Sequence, residues 1–156
     1  MGAYVYSVKQ VAFRRGDMRT IELAVEILTV EEGFREQPYY CSEGYPTVGI
    51  GRELQNFGLS NDEARYLLMN DIQRVLKEAE AFEWWNHLNE PRKICVANML
   101  FNLGLTRFNK FKKFQAALNT KSWSIAADEM MDSRWAKQVK TRALRLEKIM
   151  RTGQLL

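Results

Sequence analysis

The chain has 156 residues, 46% of them hydrophobic and 12% aromatic, enough for one domain, or one domain pinched into two lobes, with its own core. With 27% charged residues it is not a disordered chain, and no apolar run approaches the roughly 20 residues that a membrane span needs. The 23 basic residues exceed the 19 acidic ones, for a net charge of +4, which favours anionic partners such as nucleic acid or envelope polymers.

The basic residues are scattered, as in Arg107-Phe108-Asn109-Lys110-Phe111-Lys112-Lys113-Phe114 and in 137–151. Both segments have helical spacing, so solvated faces of amphipathic helices account for them, and no nucleic-acid module accompanies the charge. Two cysteines, Cys41 and Cys95, do not make a disulfide framework. Cys95 sits in an apolar helical pattern and reads as a small buried hydrophobe.

Residues 1–19 are the least interpretable: Tyr4, Tyr6 and Val8 alternate, but Val5 breaks a strand pattern. They are expected to form an extension of unassigned role, an ordered arm, a tail, or an upstream start ahead of Met18. Residues 1–13 lack the charged-then-apolar order of a secretory leader, so a cytoplasmic product without its own export route is expected. From Thr20, read as an N-cap, the stripe Ile21, Val25 and Leu28 predicts a helix ending at Gly33, which suits the left-handed position past a helix end.

Glu32 therefore falls at a helix C-terminus. The negative end of the helix dipole disfavours a charged carboxylate, and an apolar setting would act in the same direction. A glutamic acid kept protonated near neutral pH is what protonation of a glycosidic oxygen requires. After it, 39–41 and 45–50 read as short strands joined by Ser42-Glu43-Gly44. Alternation puts Tyr45, Thr47 and Gly49 on one face, predicted to be open. Acid, thiol (Cys41) and hydroxyl (Thr47) together suggest a glycan-cleaving cleft, with the acid on one wall and water-handling groups on the other.

Ser60-Asn61-Asp62-Glu63 is a capping box opening a long helix with Leu68, Ile72, Val75 and Ala79 on its apolar face. Glu90-Pro91 starts a segment apolar nearly all round, closing at Gly104, which predicts a central core helix. Shorter helices are expected over 108–118, 122–131 and 137–150. Phe108, Phe111 and Phe114 read as core, as do Trp123 and Trp135; the pattern leaves Trp84 and Trp85 unplaced. No Cys/His cluster has metal-ligand spacing, the single His87 reads as structural, and neither metal nor cofactor is expected.

Glu31-Glu32-Gly33, followed by Glu43-Gly44-Tyr45-Pro46-Thr47-Val48-Gly49-Ile50-Gly51, resembles the active-site segment of phage lysozymes of the T-even type. The resemblance resumes at Ala97-Asn98-Met99-Leu100-Phe101-Asn102-Leu103-Gly104 and continues through Trp123, Ser133-Arg134-Trp135, Arg142-Ala143 and Arg151-Thr152-Gly153. It covers about residue 21 to the C-terminus, in order, with part of the small lobe of longer relatives missing between Leu54 and Ser60.

The resemblance implies an α+β, mostly helical, lysozyme-like domain over 20–156. Its small lobe with the hairpin would be 34–60, its joining helix 61–81, and its helical lobe 82–156 together with the first helix. It implies an endolysin cutting the β-1,4 bond between N-acetylmuramic acid and N-acetylglucosamine in peptidoglycan. Glu32 would be the catalytic acid, Thr47 the catalytic threonine, Phe101 a substrate-cleft residue and Arg142 a basic partner near the acid. A monomer is expected, with peptidoglycan glycan strands as its partner, no nucleic acid and no stable membrane insertion. It would act on the wall from the host cytoplasm after the membrane is permeabilised.

Cys41 stands where the best-known members have aspartate, and Phe114 and Glu129 stand where relatives have smaller polar residues. An aspartate is ionised at neutral pH, whereas an ordinary free thiol is only a few per cent thiolate. Cys41 would act as a thiolate, position water with Thr47, or only pack. The alternative is a peptidoglycan-binding relative with weakened turnover.

Overall fold

The computed structural model describes residues 15–155, with side chains from Arg19 onward. The expectations for 1–14 lie outside the described residues. The fold is α+β and mostly helical, and the chain forms two compact units, Met1–Tyr66 and Leu67–Leu156.

In the first unit, helix α1 spans Arg15–Glu32, five residues earlier than Thr20. Thr20 is thus inside the helix and not its cap. Met18 and Arg19 have good helix propensity, and the single Gly16 costs only about 1 kcal/mol, so nothing stops the helix at Thr20. Gly33 ends it at φ +67°, as expected, with its N–H donating to the Thr29 carbonyl at 3.2 Å.

Strands β1 (Arg35–Tyr40), β2 (Pro46–Gly49) and β3 (Arg52–Glu53) form an antiparallel sheet in that order. Tyr39 pairs with Thr47 and Tyr40 with Pro46, but the register slips between Arg35 and Tyr39. Pro38 lies in that slip, and its missing N–H cannot serve a ladder. The dipeptide β3 has no apolar alternation to announce it. It is fixed instead by Arg52, which donates to the Gly58 carbonyl at 2.9 Å and to the Glu63 carboxylate at 3.2 Å. The short helix α2 (Leu54–Phe57) fills the shortened stretch before Ser60, capped by Glu53 accepting from the Asn56 N–H at 2.7 Å.

Helix α3 (Asn61–Glu80) runs across the boundary between the units. Its capping box forms as expected: Glu63 N–H donates to Ser60 Oγ at 3.2 Å, and Ser60 N–H to the Glu63 carboxylate at 2.7 Å.

The second unit holds α4 (Glu90–Leu103), α5 (Leu105–Phe108), α6 (Lys112–Asn119), α7 (Trp123–Met131), α8 (Arg134–Val139) and α9 (Thr141–Thr152). Helix α4 buries Cys95, Val96, Met99 and Leu100, whereas Ile94 and Phe101 remain exposed. Its second apolar face lines a cavity, so it is a core helix on one side only. The expected 108–118 helix divides at Asn109-Lys110-Phe111, and the expected 137–150 helix divides at Lys140, held at φ +42°.

Phe108 is the aromatic hub of the core, with Phe82, Trp84, Phe111 and Phe114 ring centroids at 5.8, 6.1, 6.4 and 6.0 Å. Trp84 and Trp85, which the sequence pattern left unplaced, are both buried. The 3-10 turn over Glu83–His87 directs both indoles inward, because three residues per turn do not alternate faces as a strand would. Arg92 is buried without a carboxylate partner among the described residues; its Nε donates to the Met150 carbonyl at 2.8 Å and its guanidinium stacks 4.3 Å from the Trp123 ring centroid. This clamp fastens the end of α9 to α4.

Candidate active site

Cys41 follows β1 directly and opens the connection to β2. Its N–H donates to the Tyr45 carbonyl at 3.0 Å, and the Gly44 N–H donates back to the Cys41 carbonyl at 2.9 Å. Gly44, at φ +82°, takes the left-handed position that this turn requires. Backbone N–H groups of Tyr45 and Glu43 donate to the Cys41 sulfur and pull its pKa below the ordinary thiol value. Slight desolvation and the Glu43 carboxylate oppose them, and the Thr47 hydroxyl adds to the lowering. An acceptor side chain bonding the N–H two residues ahead is the arrangement in which aspartate and asparagine stabilise turns. Here the Cys41 sulfur takes that place.

Thr47 is 2% exposed, not on an open face, because it sits in the middle strand between Tyr39 of β1 and Glu53 of β3. Its Oγ1 donates to the Tyr45 carbonyl at 3.0 Å. The hydroxyl has one proton and two acceptors, that carbonyl and the Cys41 sulfur.

Glu32 is the last residue of α1 in a turn without basic residues, and its carboxyl lies against Gly51 in the loop from β2 to β3. Its side chain is exposed. The helix simply ends there, and the strand that follows is itself exposed over most of its length.

Phe101 and Arg142 belong to the second unit, where both are exposed and line one cavity of about 650 Å³ walled by Leu68, Ile72, Trp85 and Ile94. A second, more open cavity of about 910 Å³ is lined by Phe114, Glu129, Asn102 and Trp135, among others, with Arg107, Lys110, Lys112, Lys113 and Arg134 around it. Trp135 Nε1 donates to Asn102 Oδ1 at 2.9 Å, which turns the amide NH2 of Asn102 away from the indole. Phe114 is 1% exposed and packs on Phe108, so most of its ring is core.

Cys95 is fully buried and its thiol donates to the Leu146 carbonyl at 3.3 Å; burial pushes its pKa up to about 12. Among the described residues no group of three or more His, Cys, Asp or Glu side chains is arranged to hold a metal, and no helix is long and apolar enough to cross a membrane. Sequence reading selected Glu32, Cys41 and Thr47 but missed the Glu43 and Tyr45 amides. Their signal was the turn sequence Cys-Ser-Glu-Gly, with an acceptor at its first position and glycine at its fourth.

The sequence profile of the phage lysozyme family matches residues 29–150, a span that includes all five of Glu32, Cys41, Thr47, Phe101 and Arg142. The chain is 30% identical over 159 aligned residues to the pre-baseplate central spike protein Gp5 of Enterobacteria phage T4, covering 83% of this chain but 28% of the spike protein. It is 28% and 25% identical to "Probable T4-type lysozyme 2" and "Probable T4-type lysozyme 1" of Dictyostelium discoideum. Each of those alignments covers 83% of this chain and 94% of the relative.

Proposed function

The chain belongs to the phage lysozyme family, and on that premise we propose that it is an endolysin. It hydrolyses the β-1,4 bond between N-acetylmuramic acid and N-acetylglucosamine in peptidoglycan. Glu32 protonates the leaving glycosidic oxygen as general acid. Cys41, as a thiolate, and Thr47 handle the water or the glycosyl intermediate on the other side. Phe101 offers an exposed aromatic face to a sugar ring, and Arg142 serves as a supporting cation. The enzyme acts as a monomer on the wall, reaching it from the host cytoplasm once the membrane is breached.

The observation carrying this reading is the family match over residues 29–150, a span with Glu32 at the end of α1 and Cys41 and Thr47 on the hairpin that follows. A carboxylate is anionic at neutral pH without help, and a thiol needs the donors that Glu43, Tyr45 and Thr47 supply. The test is incubation of pure protein with peptidoglycan and identification of the new reducing sugar. Release of reducing N-acetylmuramic acid by the wild type, and none by Glu32→Gln, is the expected result. Sedimentation with peptidoglycan without any reducing ends would establish the alternative, a binding relative that has lost turnover.

A further inference from the structure

Between the last paired residues of β2 and β3, Val48 and Arg52, lie Gly49-Ile50-Gly51, and both glycines adopt left-handed backbone angles, φ +68° at Gly49 and +69° at Gly51. A three-residue hairpin connection needs one such position for its geometry, and glycine occupies it without steric cost. The two positions differ in what lies beside them. A Cβ on Gly49 would meet nothing within 4 Å. A Cβ on Gly51 would lie 2.8 Å from Oε2, 3.0 Å from Cδ and 3.1 Å from Cγ of Glu32.

The geometry points to Gly51 as a positioning residue for Glu32: the missing side chain is the seat of the carboxyl. This rests on the reading of Glu32 as the general acid. Glu32 is the last residue of α1, and its side chain is exposed, so solvent on one side leaves its rotamers free. The carboxyl lies against Gly51 in the loop from β2 to β3, in the same compact unit as Cys41 and Thr47. The atoms a Cβ would strike are the movable end of a flexible side chain. Adding a methyl there therefore displaces the acid without forcing backbone apart. A displacement of the order of 1 Å is enough to cost about 100-fold in a reaction that depends on alignment.

The test compares Gly51→Ala and Gly51→Asn with Gly49→Ala, using reducing-end release from peptidoglycan and the carboxyl 13C resonance of Glu32. Gly49→Ala carries the backbone strain alone, Gly51→Ala carries strain and displacement, and Gly51→Asn keeps the displacement with a residue that tolerates the left-handed region. Both Gly51 variants are expected to lose at least tenfold in kcat with KM within about twofold, and to move the Glu32 resonance. Gly49→Ala is expected to keep kcat within about twofold and to leave that resonance in place, while its unfolding midpoint falls as far as that of Gly51→Ala. Gly51 variants within twofold of wild type in kcat, or an equal loss in Gly49→Ala, would overturn the positioning role while Glu32→Gln remained inactive. A fully active Glu32→Gln would instead overturn the acid assignment, and the role of Gly51 with it.

Discussion

The two cysteines mark two regions of the molecule that treat one side chain in opposite ways. Cys41 sits in a five-residue connection, where two backbone N–H groups and a hydroxyl lower its pKa. Cys95 sits on the buried face of α4, where removal of water raises its pKa to about 12. The physical difference is the supply of donors. A strand connection has amides not committed to a ladder and can turn them on a charge, whereas the amides of a helix interior are already spent on its own carbonyls. The hairpin can therefore hold an anion, and the helical core can only pack a neutral thiol.

Substitutions can break that comparison from either side. The largest effect on chemistry is expected at Glu32, where Glu32→Gln should lower reducing-end release by about 100-fold or more, the usual weight of a general acid. Its urea unfolding curve should stay within about 0.5 kcal/mol of wild type, because the side chain is exposed. The mirror image is Phe108→Ala in the helical core, where the side chain is fully buried and touches four aromatic rings. It should cost about 3–5 kcal/mol by urea denaturation. Activity per folded molecule should be unchanged.

The pH dependence sharpens the contrast. If Cys41 works deprotonated, as proposed, activity should fall as pH drops through a thiol pKa that lies below the ordinary value. In Cys41→Asp the same limb should move to the carboxylate range near pH 4, so this variant should outperform wild type in mild acid. For Cys95 the sign is reversed. Its folded pKa lies above the unfolded one, so its contribution to stability is whole below about pH 8.5 and declines as pH rises toward 12. Denaturation midpoints between pH 7 and 10 should show that decline in the wild type and lose it in Cys95→Val. The smallest effect belongs to the first turn of α3: Ser60→Ala removes the acceptor for the Glu63 N–H and should cost about 1 kcal/mol in thermal or urea unfolding.

What could be read from the sequence follows the same division. Helix ends announced by side chains were legible: the Ser60–Glu63 box and the Gly33 and Gly104 stops form where the pattern put them. The start of α1 was not, because an apolar stripe marks the face a helix buries and not where it begins. Strand β3 escaped notice because two residues show no alternation, and no local pattern marks the bonds Arg52 makes to Gly58 and Glu63. In the candidate site, Glu32, Cys41 and Thr47 were visible as residue types at telling spacing. The burial of Thr47 was not, since it depends on a third strand the pattern did not show. Nor were the Glu43 and Tyr45 amides, because every residue has one and only the turn decides where it aims.

The measurement closest to the centre of this account is iodoacetamide modification followed by peptidoglycan hydrolysis, with the modified cysteine mapped by mass spectrometry. Wild type should lose hydrolysis in step with carboxamidomethylation of Cys41 while native Cys95 stays unmodified, and Cys41→Asp should keep its activity under the same treatment. Full hydrolysis by protein quantitatively modified at Cys41 would contradict the thiolate as the aspartate's replacement.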